Sequence, residues 1–444
     1  MPVSPARAAA FRILVRIEST DAYASELLHS DTFAKLDPRD HGLLTELVMG
    51  VLRWRSVVDE RIAEHAAQPP ARLDLEVLTA LRLGAYQLLF LDRVPAHAAV
   101  NESVELIKQA RKRSAAGVVN AVLRRIASAR APSASPRKDA GSPPLGAGLS
   151  HPRWLVERWA RNYGLPLAHA ICAYDQVTPK TAIRVAAPAL RDELEGQGIQ
   201  LRAGRLLAKA LVIEAGDITA TEAFRARRLF IQDEASQLVA LLVGHGSSIL
   251  DCCAAPGGKT RILAEENPGS TIIAMELHAH RGLLLKERVP SAAVRVIAAD
   301  ARQIPLAKKF DRVLVDAPCS GTGTLARNPE IKWRLKREDI RRLQSYQLEI
   351  LQAALEITAP GGRLVYSTCS LEPEENAAVV ERALTSTGSF RVLDCRTELE
   401  RLKLGGELTA GDLGSLVSGP YLRTLPGAHS CDGFFAAILE KQPG

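Results

Sequence analysis

From about residue 233 to the end of the chain, short apolar runs alternate with segments of helical spacing. That alternation restricts the fold more than any other feature. The strand candidates are SSILDC, STIIAME, VRVIAAD, FDRVLVDAP, GRLVYST, FRVLD and GFFAAILE, with helix candidates between most of them. Strands this apolar are buried on both faces, and alternation with helices buries them by covering both sides of one sheet. Residues 233–444 are therefore expected to form an α/β domain. Sheets of this kind bind ligands beyond the carboxyl ends of their strands, where the informative residues of this chain cluster.

The preceding part reads differently. In residues 1–130, segments such as RAAAFRILVRI, RDHGLLTELVMGVLRWRSVVDERIAEHA and LEVLTALRLGAYQLLFLDRV repeat apolar residues every three or four positions, which predicts an all-helical domain. Residues 131–150, APSASPRKDAGSPPLGAGLS, cannot bury a core and are expected to be a flexible linker. Residues 151–232 combine a helix (HPRWLVERWARNYG), a strand (TAIRVAA), a second helix (ALRDELEGQG) and further strand-like pieces up to RLFIQDE. They are expected to form a small α+β connecting domain.

No apolar run reaches the ~18 residues that cross a bilayer, so no membrane association is expected. The first residues lack a continuous apolar signal core, which makes a cytoplasmic protein the expectation. A net charge of +7, from 57 Lys plus Arg against 50 Asp plus Glu, permits a polyanionic partner without requiring one. The seven cysteines, at 172, 252, 253, 319, 369, 395 and 431, contain no Cys-x-x-Cys pair. That spacing excludes the usual zinc sites, and the odd count argues for reduced thiols over a disulfide framework.

The first strand of the α/β region runs into DCCAAPGGKT, residues 251–260, and then into a helix. Small residues and two glycines at such a turn let a ligand approach the backbone closely. A phosphate-binding Walker loop needs glycine where Cys253 stands, and no Gly-x-Gly-x-x-Gly is present, so both common nucleotide loops fail. Carboxylates follow at the ends of the next strands: Glu276, Asp300 and Asp316. A carboxylate at the second strand end suits a ribose diol, and three beside a glycine turn describe a nucleoside-shaped pocket.

The fourth and fifth strands end in DAPCSGTG and STCSLEPEEN, which would bring Cys319 and Cys369 to one edge of that pocket. A buried cysteine is usually a small apolar filler, the reading adopted for Cys172, Cys252, Cys395 and Cys431. Two cysteines in matching Pro-Cys-Ser and Thr-Cys-Ser turns are not explained by packing. With DCCAAPGGKT, these motifs resemble the signatures of the RNA 5-methylcytosine methyltransferases of the Nol/Nop/Sun family. Because VPAHAAVNESVELIK and GVVNAVLRRI resemble a NusB-like RNA-binding domain, the likeness is greatest to the bacterial Sun/Fmu branch, which acts on 16S ribosomal RNA.

The resemblance implies a NusB-like all-α front domain, a small α+β connecting domain and a Rossmann-like class I methyltransferase domain. It also implies S-adenosylmethionine as cofactor, RNA as partner and a monomer. Carried over by residue, Cys369 is the nucleophile, Cys319 assists release and Asp316 lies beside the base. Cys253, Ala254, Ala255, Pro256, Gly257, Gly258 and Lys259 wrap the cofactor, with Glu276 on its ribose, Asp300 on its adenine and Asp316 also at the cofactor pocket. The chemistry accounts for the thiol: carbon 5 of cytosine is too electron-poor to attack a sulfonium methyl group until a thiolate has added to carbon 6.

ARNPEIKWRLKREDIRRL, residues 326–343, sets seven cations around Trp333: Arg327, Lys332, Arg334, Lys336, Arg337, Arg341 and Arg342. They are expected to contact phosphates and stack on bases, against the alternative of a solvated helix face. Lys108, Arg111, Lys112, Arg113, Arg124 and Arg125 offer a second basic surface. Three rival functions share parts of this pattern: a transfer RNA cytosine-5 methyltransferase, a non-catalytic RNA-binding factor of antitermination type, and a DNA cytosine methyltransferase. The last two have no need of Cys369.

Overall fold

The computed structural model describes residues 3–28, 30, 32, 36–129 and 148–443, so the expected linker lies outside the described residues through position 147. Helices Pro5–Ser19, Pro38–Arg53, Arg55–Ala63, Leu75–Phe90, Ala96–Gln109 and Ala116–Ser128 account for the front of the chain. Pro38–Arg53 shows why such segments fold this way. Asp37 caps it by accepting from the N–H groups of Arg39 and Asp40, and proline opens its first turn. Leu44, Leu47, Val48, Val51 and Leu52 then form one buried stripe. All six helices contribute to a single apolar core.

The chain forms two compact units: Met1–Thr178 with Leu325–Arg334, and Pro179–Thr324 with Leu335–Gly444. The division corrects the sequence reading of Lys332, Trp333 and Arg334 as part of a nucleic-acid surface. Within the helical unit Glu330 and Lys332 are buried. Glu330 accepts from the Ala24 N–H, Lys332 donates to the Arg53 carbonyl at 3.0 Å, and the Trp333 indole donates to the Leu52 carbonyl at 2.6 Å. Arg334 donates to the carbonyls of Ile17 and Ala22, and Arg53 returns a bond to the Ala326 carbonyl. These cations satisfy the helix-end carbonyls of Arg53 and Ile17 and the loop carbonyl of Ala22. The indole N–H is occupied in the same way, and the Arg55 guanidinium and Lys332 ammonium lie 5.5 and 5.2 Å from the centre of the Trp333 ring. Burial lowers the Lys332 ammonium, while the Asp175 carboxylate nearby favours its charged form. Lys336, Arg341 and Arg342 stay outside this strap, at the start of helix Arg337–Ile357.

In the second unit a four-stranded antiparallel sheet runs in the order β2-β3-β1-β4, with β1 Ala182–Arg184, β2 Gln200–Ala203, β3 Ala210–Ala215 and β4 Phe230–Ile231. Helix Pro188–Gly196 covers it through Leu190 and Leu194. The buried Arg184 guanidinium spans to Glu265 and Glu266 on the helix after the glycine turn, at 3.3 and 2.6 Å.

All seven C-terminal strand candidates are present: β5 Ser248–Asp251, β6 Thr271–Glu276, β7 Val294–Ala298, β8 Phe310–Asp316, β9 Thr358–Thr368, β10 Phe390–Leu393 and β13 Phe435–Lys441. Two short strands escaped the reading, β11 Val417–Ser418 and β12 Tyr421–Arg423. The sheet order is β11-β12-β13-β9-β8-β5-β6-β7, with β10 also on β13. β5 to β9 are parallel, and β13 returns antiparallel to β9. Because β6 and β7 lie on one side of β5 and β8 and β9 on the other, the strand order reverses at β5. The turns after β5 and β8 flank that crevice.

The strap gives a direct prediction. Lys332→Ala removes the donor to Arg53 and a buried charge near Asp175, so denaturant unfolding should show a loss of about 2–3 kcal/mol. The exposed Arg341→Ala should stay within about 0.5 kcal/mol of the parent chain. Equal stability of the two variants would contradict the buried strap.

Candidate active site

The β8–β9 register sets Asp316 opposite Ser367. The ladder-type bonding ends with the Ala317 N–H on the Ser367 carbonyl at 2.8 Å. Beyond it the two turns converge, and the sulfurs of Cys319 and Cys369 stand 3.4 Å apart. The turns also meet through backbone: the Gly323 N–H donates to the Cys369 carbonyl at 2.9 Å, and the Gly433 N–H to the Gly323 carbonyl at 2.8 Å. A Cβ at Gly323 would lie 2.1 Å from the Gly433 carbonyl oxygen, so no larger residue fits there.

Asp316, at the end of β8, accepts from Lys259 Nζ at 2.6 Å and from Ser367 Oγ at 2.8 Å. Lys259 lies in the first turn of helix Gly258–Glu266, and its ammonium also sits 5.0 Å from the centre of the Phe434 ring. The lysine of the glycine loop thus reaches the carboxylate beside the cysteines. Below it, Thr260 Oγ1 donates to the buried Asp251 carboxylate at 2.7 Å, and burial pushes Asp251 up to about 7.

Gly257 caps that helix at φ +109°, and a Cβ there would meet Leu285 and Val289 at 2.8 and 2.9 Å. Cys253 is half-buried, Ala254 buried, and Ala255, Pro256 and Gly258 complete the loop. The Ala254 N–H donates to the Met275 carbonyl, which ties the loop to the end of β6. Glu276, the last residue of β6, is buried and accepts from the His278 N–H at 3.1 Å, leaving acceptor capacity on its carboxylate. Asp300 is differently disposed. Arg302 grips it through its own N–H at 2.9 Å and through Nε and Nη2 at 3.0 and 2.7 Å, holding the carboxyl below its usual range. The Arg302 guanidinium in turn lies over the Tyr346 ring, 4.9 Å from its centre.

Cys319 is raised well above its ordinary value, first by its hydrogen bond with Cys369, in which either sulfur can be the donor, and then by burial. Cys172, Cys252, Cys395 and Cys431 are buried, with their thiols pushed up chiefly by burial, in keeping with inert fillers.

The sequence reading missed Glu375. Its fully buried carboxylate accepts from the Ser320 N–H at 2.8 Å, Ser320 Oγ, Ser370 Oγ at 2.5 Å and Gln347 Nε2 at 2.9 Å. The only sequence signal was a doubled glutamate in the EPEEN run, which also suits a solvated turn.

Residues 238–440 match the family described as 16S rRNA methyltransferase RsmB/F, residues 4–128 the NusB family, and residues 151–219 the ferredoxin-like domain of RsmF/B-like methyltransferases. The chain is 34% identical to a probable ribosomal RNA small subunit methyltransferase B of Bacillus subtilis, with all of both chains covered. It is 33% identical to the ribosomal RNA small subunit methyltransferase B of Pseudomonas syringae pv. tomato, over 98% of this chain and 96% of the relative. Among solved structures, a methyltransferase homologue from Pyrococcus horikoshii is 28% identical with a TM-score of 0.54, covering 66% of this chain and 96% of its own. The crystal structure of PH0851 has the same fold, at 24% identity and a TM-score of 0.80, over 99% of this chain and 100% of that one.

The close approach at Gly323 is open to test. Gly323→Ala should lower stability by about 2 kcal/mol or more, since backbone must move to admit the methyl group. Gly117→Ala, which meets nothing within 4 Å, should be neutral or stabilising by about 0.5 kcal/mol in thermal unfolding. Two neutral outcomes would contradict the turn geometry.

Proposed function

The chain belongs to the 16S rRNA methyltransferase RsmB/F family, and on that premise we propose that it methylates carbon 5 of a cytosine in small-subunit ribosomal RNA through a covalent bond to Cys369. The observation that carries this reading is the 3.4 Å approach of two cysteine sulfurs at the ends of adjacent parallel strands. A binding factor of antitermination type would need only the matched residues 4–128 and neither cysteine turn.

The residues fit the expected cofactor. The Gly257 turn admits no side chain, the first turn of helix Gly258–Glu266 presents backbone N–H groups, and Glu276 keeps an acceptor for a ribose diol. S-adenosylmethionine, when bound, supplies the methyl group. Cys253 to Lys259 would line its site and Asp300, oriented by Arg302, would offer its remaining lone pair to the adenine amino group.

The chain's own chemistry then follows. The base leaves its stack to reach the thiols. The Cys369 thiolate adds to carbon 6, and Asp316, fixed by Lys259 and Ser367, hydrogen-bonds the ring edge as charge develops there. Carbon 5, made nucleophilic by the adduct, takes the methyl group and then carries both methyl and hydrogen. Cys319, its own proton released to solvent, takes the carbon-5 proton. The carbon–hydrogen electrons restore the 5,6 double bond as the Cys369 thiolate departs. The same reading assigns residues 1–130 to RNA recognition, 131–150 to a linker, 151–232 to the connecting domain and 233–444 to catalysis, in a cytoplasmic monomer. Lys108, Arg113 and Arg124, exposed on the helical unit, are suited to phosphate contact.

Bisulfite sequencing of 16S ribosomal RNA should show one cytosine that loses its 5-methyl mark when the gene is deleted and regains it with the intact gene. An unchanged ribosomal profile, with loss in transfer RNA, would move the substrate to the sister class. Calorimetry should find S-adenosylmethionine binding that Glu276→Ala weakens about tenfold or more. Unchanged affinity would displace the pocket from the end of β6.

A further inference from the structure

The strand ladder ends at Asp316 and Ser367, yet the sulfurs that must act together lie beyond it. Something other than the sheet has to fix their separation. We propose that Glu375, assisted by Gln347, is a positioning residue that sets the approach of the two sulfurs by holding both cysteine turns on one buried carboxylate. The inference rests on the reading of Cys319 and Cys369 as the reacting pair.

The grip is symmetrical about the chemistry. On the Cys319 side, the following residue gives its N–H and its hydroxyl to Glu375, while the carbonyl of the preceding Pro318 accepts from Gln347 Nε2 at 2.8 Å. Gln347 uses the same nitrogen on Glu375, so both flanks of Cys319 lead to one cluster. On the Cys369 side, the hydroxyl of the following residue, Ser370, donates to the same carboxylate oxygen that Ser320 Oγ reaches.

Glu375 is also held through its backbone and through its neighbour. Its carbonyl accepts from the Tyr366 hydroxyl at 2.6 Å, from within β9. Its neighbour Asn376 accepts from Thr368 Oγ1 and donates to the Ser370 carbonyl. The carboxylate is therefore anchored to β9 before it meets Ser320, as a fixed peg between two turns. All three partner residues, Ser320, Ser370 and Gln347, are shielded from water, so deleting the acceptor strands their donors, and the turns must shift to recover hydrogen bonds. A displacement of about 1 Å at reacting atoms is enough to cost about 100-fold in rate.

The test compares the full-length wild type with Glu375→Ala, Glu375→Gln and Gln347→Ala. Two readouts are used: steady-state methyl transfer, and the initial rate of Cys319–Cys369 disulfide formation with diamide, which takes up the two thiol hydrogens. The disulfide is quantified by mass spectrometry and does not depend on turnover. Glu375→Ala should lose about 100-fold in kcat with KM for both substrates within about twofold, and should cross-link about tenfold more slowly. Glu375→Gln keeps one oxygen as acceptor and turns its amide toward hydroxyls that can themselves accept. It should regain most of the cross-linking rate and lie within about tenfold of wild-type kcat. Should Glu375→Ala fail to fold, the graded pair Glu375→Gln and Gln347→Ala decides, with kcat and cross-linking expected to fall together at unchanged cofactor affinity. A folded Glu375→Ala, or in its absence a Gln347→Ala, that cross-links at the wild-type rate would overturn the inference. Wild-type protein that cross-links but methylates no ribosomal RNA would instead contradict the proposed function.

Discussion

Parallel pairing of β8 with β9 is the constraint on which the site depends. Opposite residues in a parallel pair leave the sheet at the same edge and in the same direction, so Asp316 and Ser367 launch their turns side by side. Three residues beyond the first and two beyond the second, the sulfurs meet. A slip of one residue in that register would turn each side chain to the opposite face and part the thiols. The glycine loop after β5 lies on the other side of β8, which is why Lys259 can reach Asp316 and join the cofactor side to the cysteine side.

The turns themselves carry little apolar surface, and their geometry is held by buried polar groups. Glu375 and Asp251 are fully buried carboxyl groups, and burial raises both. Around Glu375 the carboxylate is surrounded by donors, and they belong to the segments whose positions matter. Cys319 is likewise raised, first by its hydrogen bond with Cys369 and then by burial. In the proposed reaction it acts second, after Cys369 has bonded to the base.

Much of this was legible in the sequence because it is written in apolar periodicity and in rare residues at strand ends. The strand candidates from SSILDC to GFFAAILE are strands, and the turns after β8 and β9 bring Cys319 and Cys369 together. Polar residues were the weak point. Lys332, Trp333 and Arg334 read as a nucleic-acid surface because cations are usually exposed, yet their targets are backbone carbonyls some 280–320 positions earlier in the chain, a separation that local pattern does not report. Asp300 was read as an adenine contact, and the pattern gave no sign that Arg302, two residues on, folds back onto it. Glu375 was passed over since a glutamate in a Pro-Glu-Glu turn gives no sign of being wrapped by Ser320, Ser370 and Gln347. β11 and β12 are two and three residues long, too short to display a period of two.

The division of labour between the sulfurs is the central claim, and trapping the covalent intermediate tests it most directly. Cys319→Ala and Cys369→Ala proteins would each be incubated with 16S ribosomal RNA and S-adenosylmethionine, then separated on a denaturing gel. Without Cys369 no thiolate adds to carbon 6, so no protein–RNA band should survive denaturation. Without Cys319 the bond forms and the base is methylated, but elimination stalls, so a stable band should accumulate. A band in Cys369→Ala and none in Cys319→Ala would reverse the two roles, and no band in either would contradict covalent catalysis by this pair.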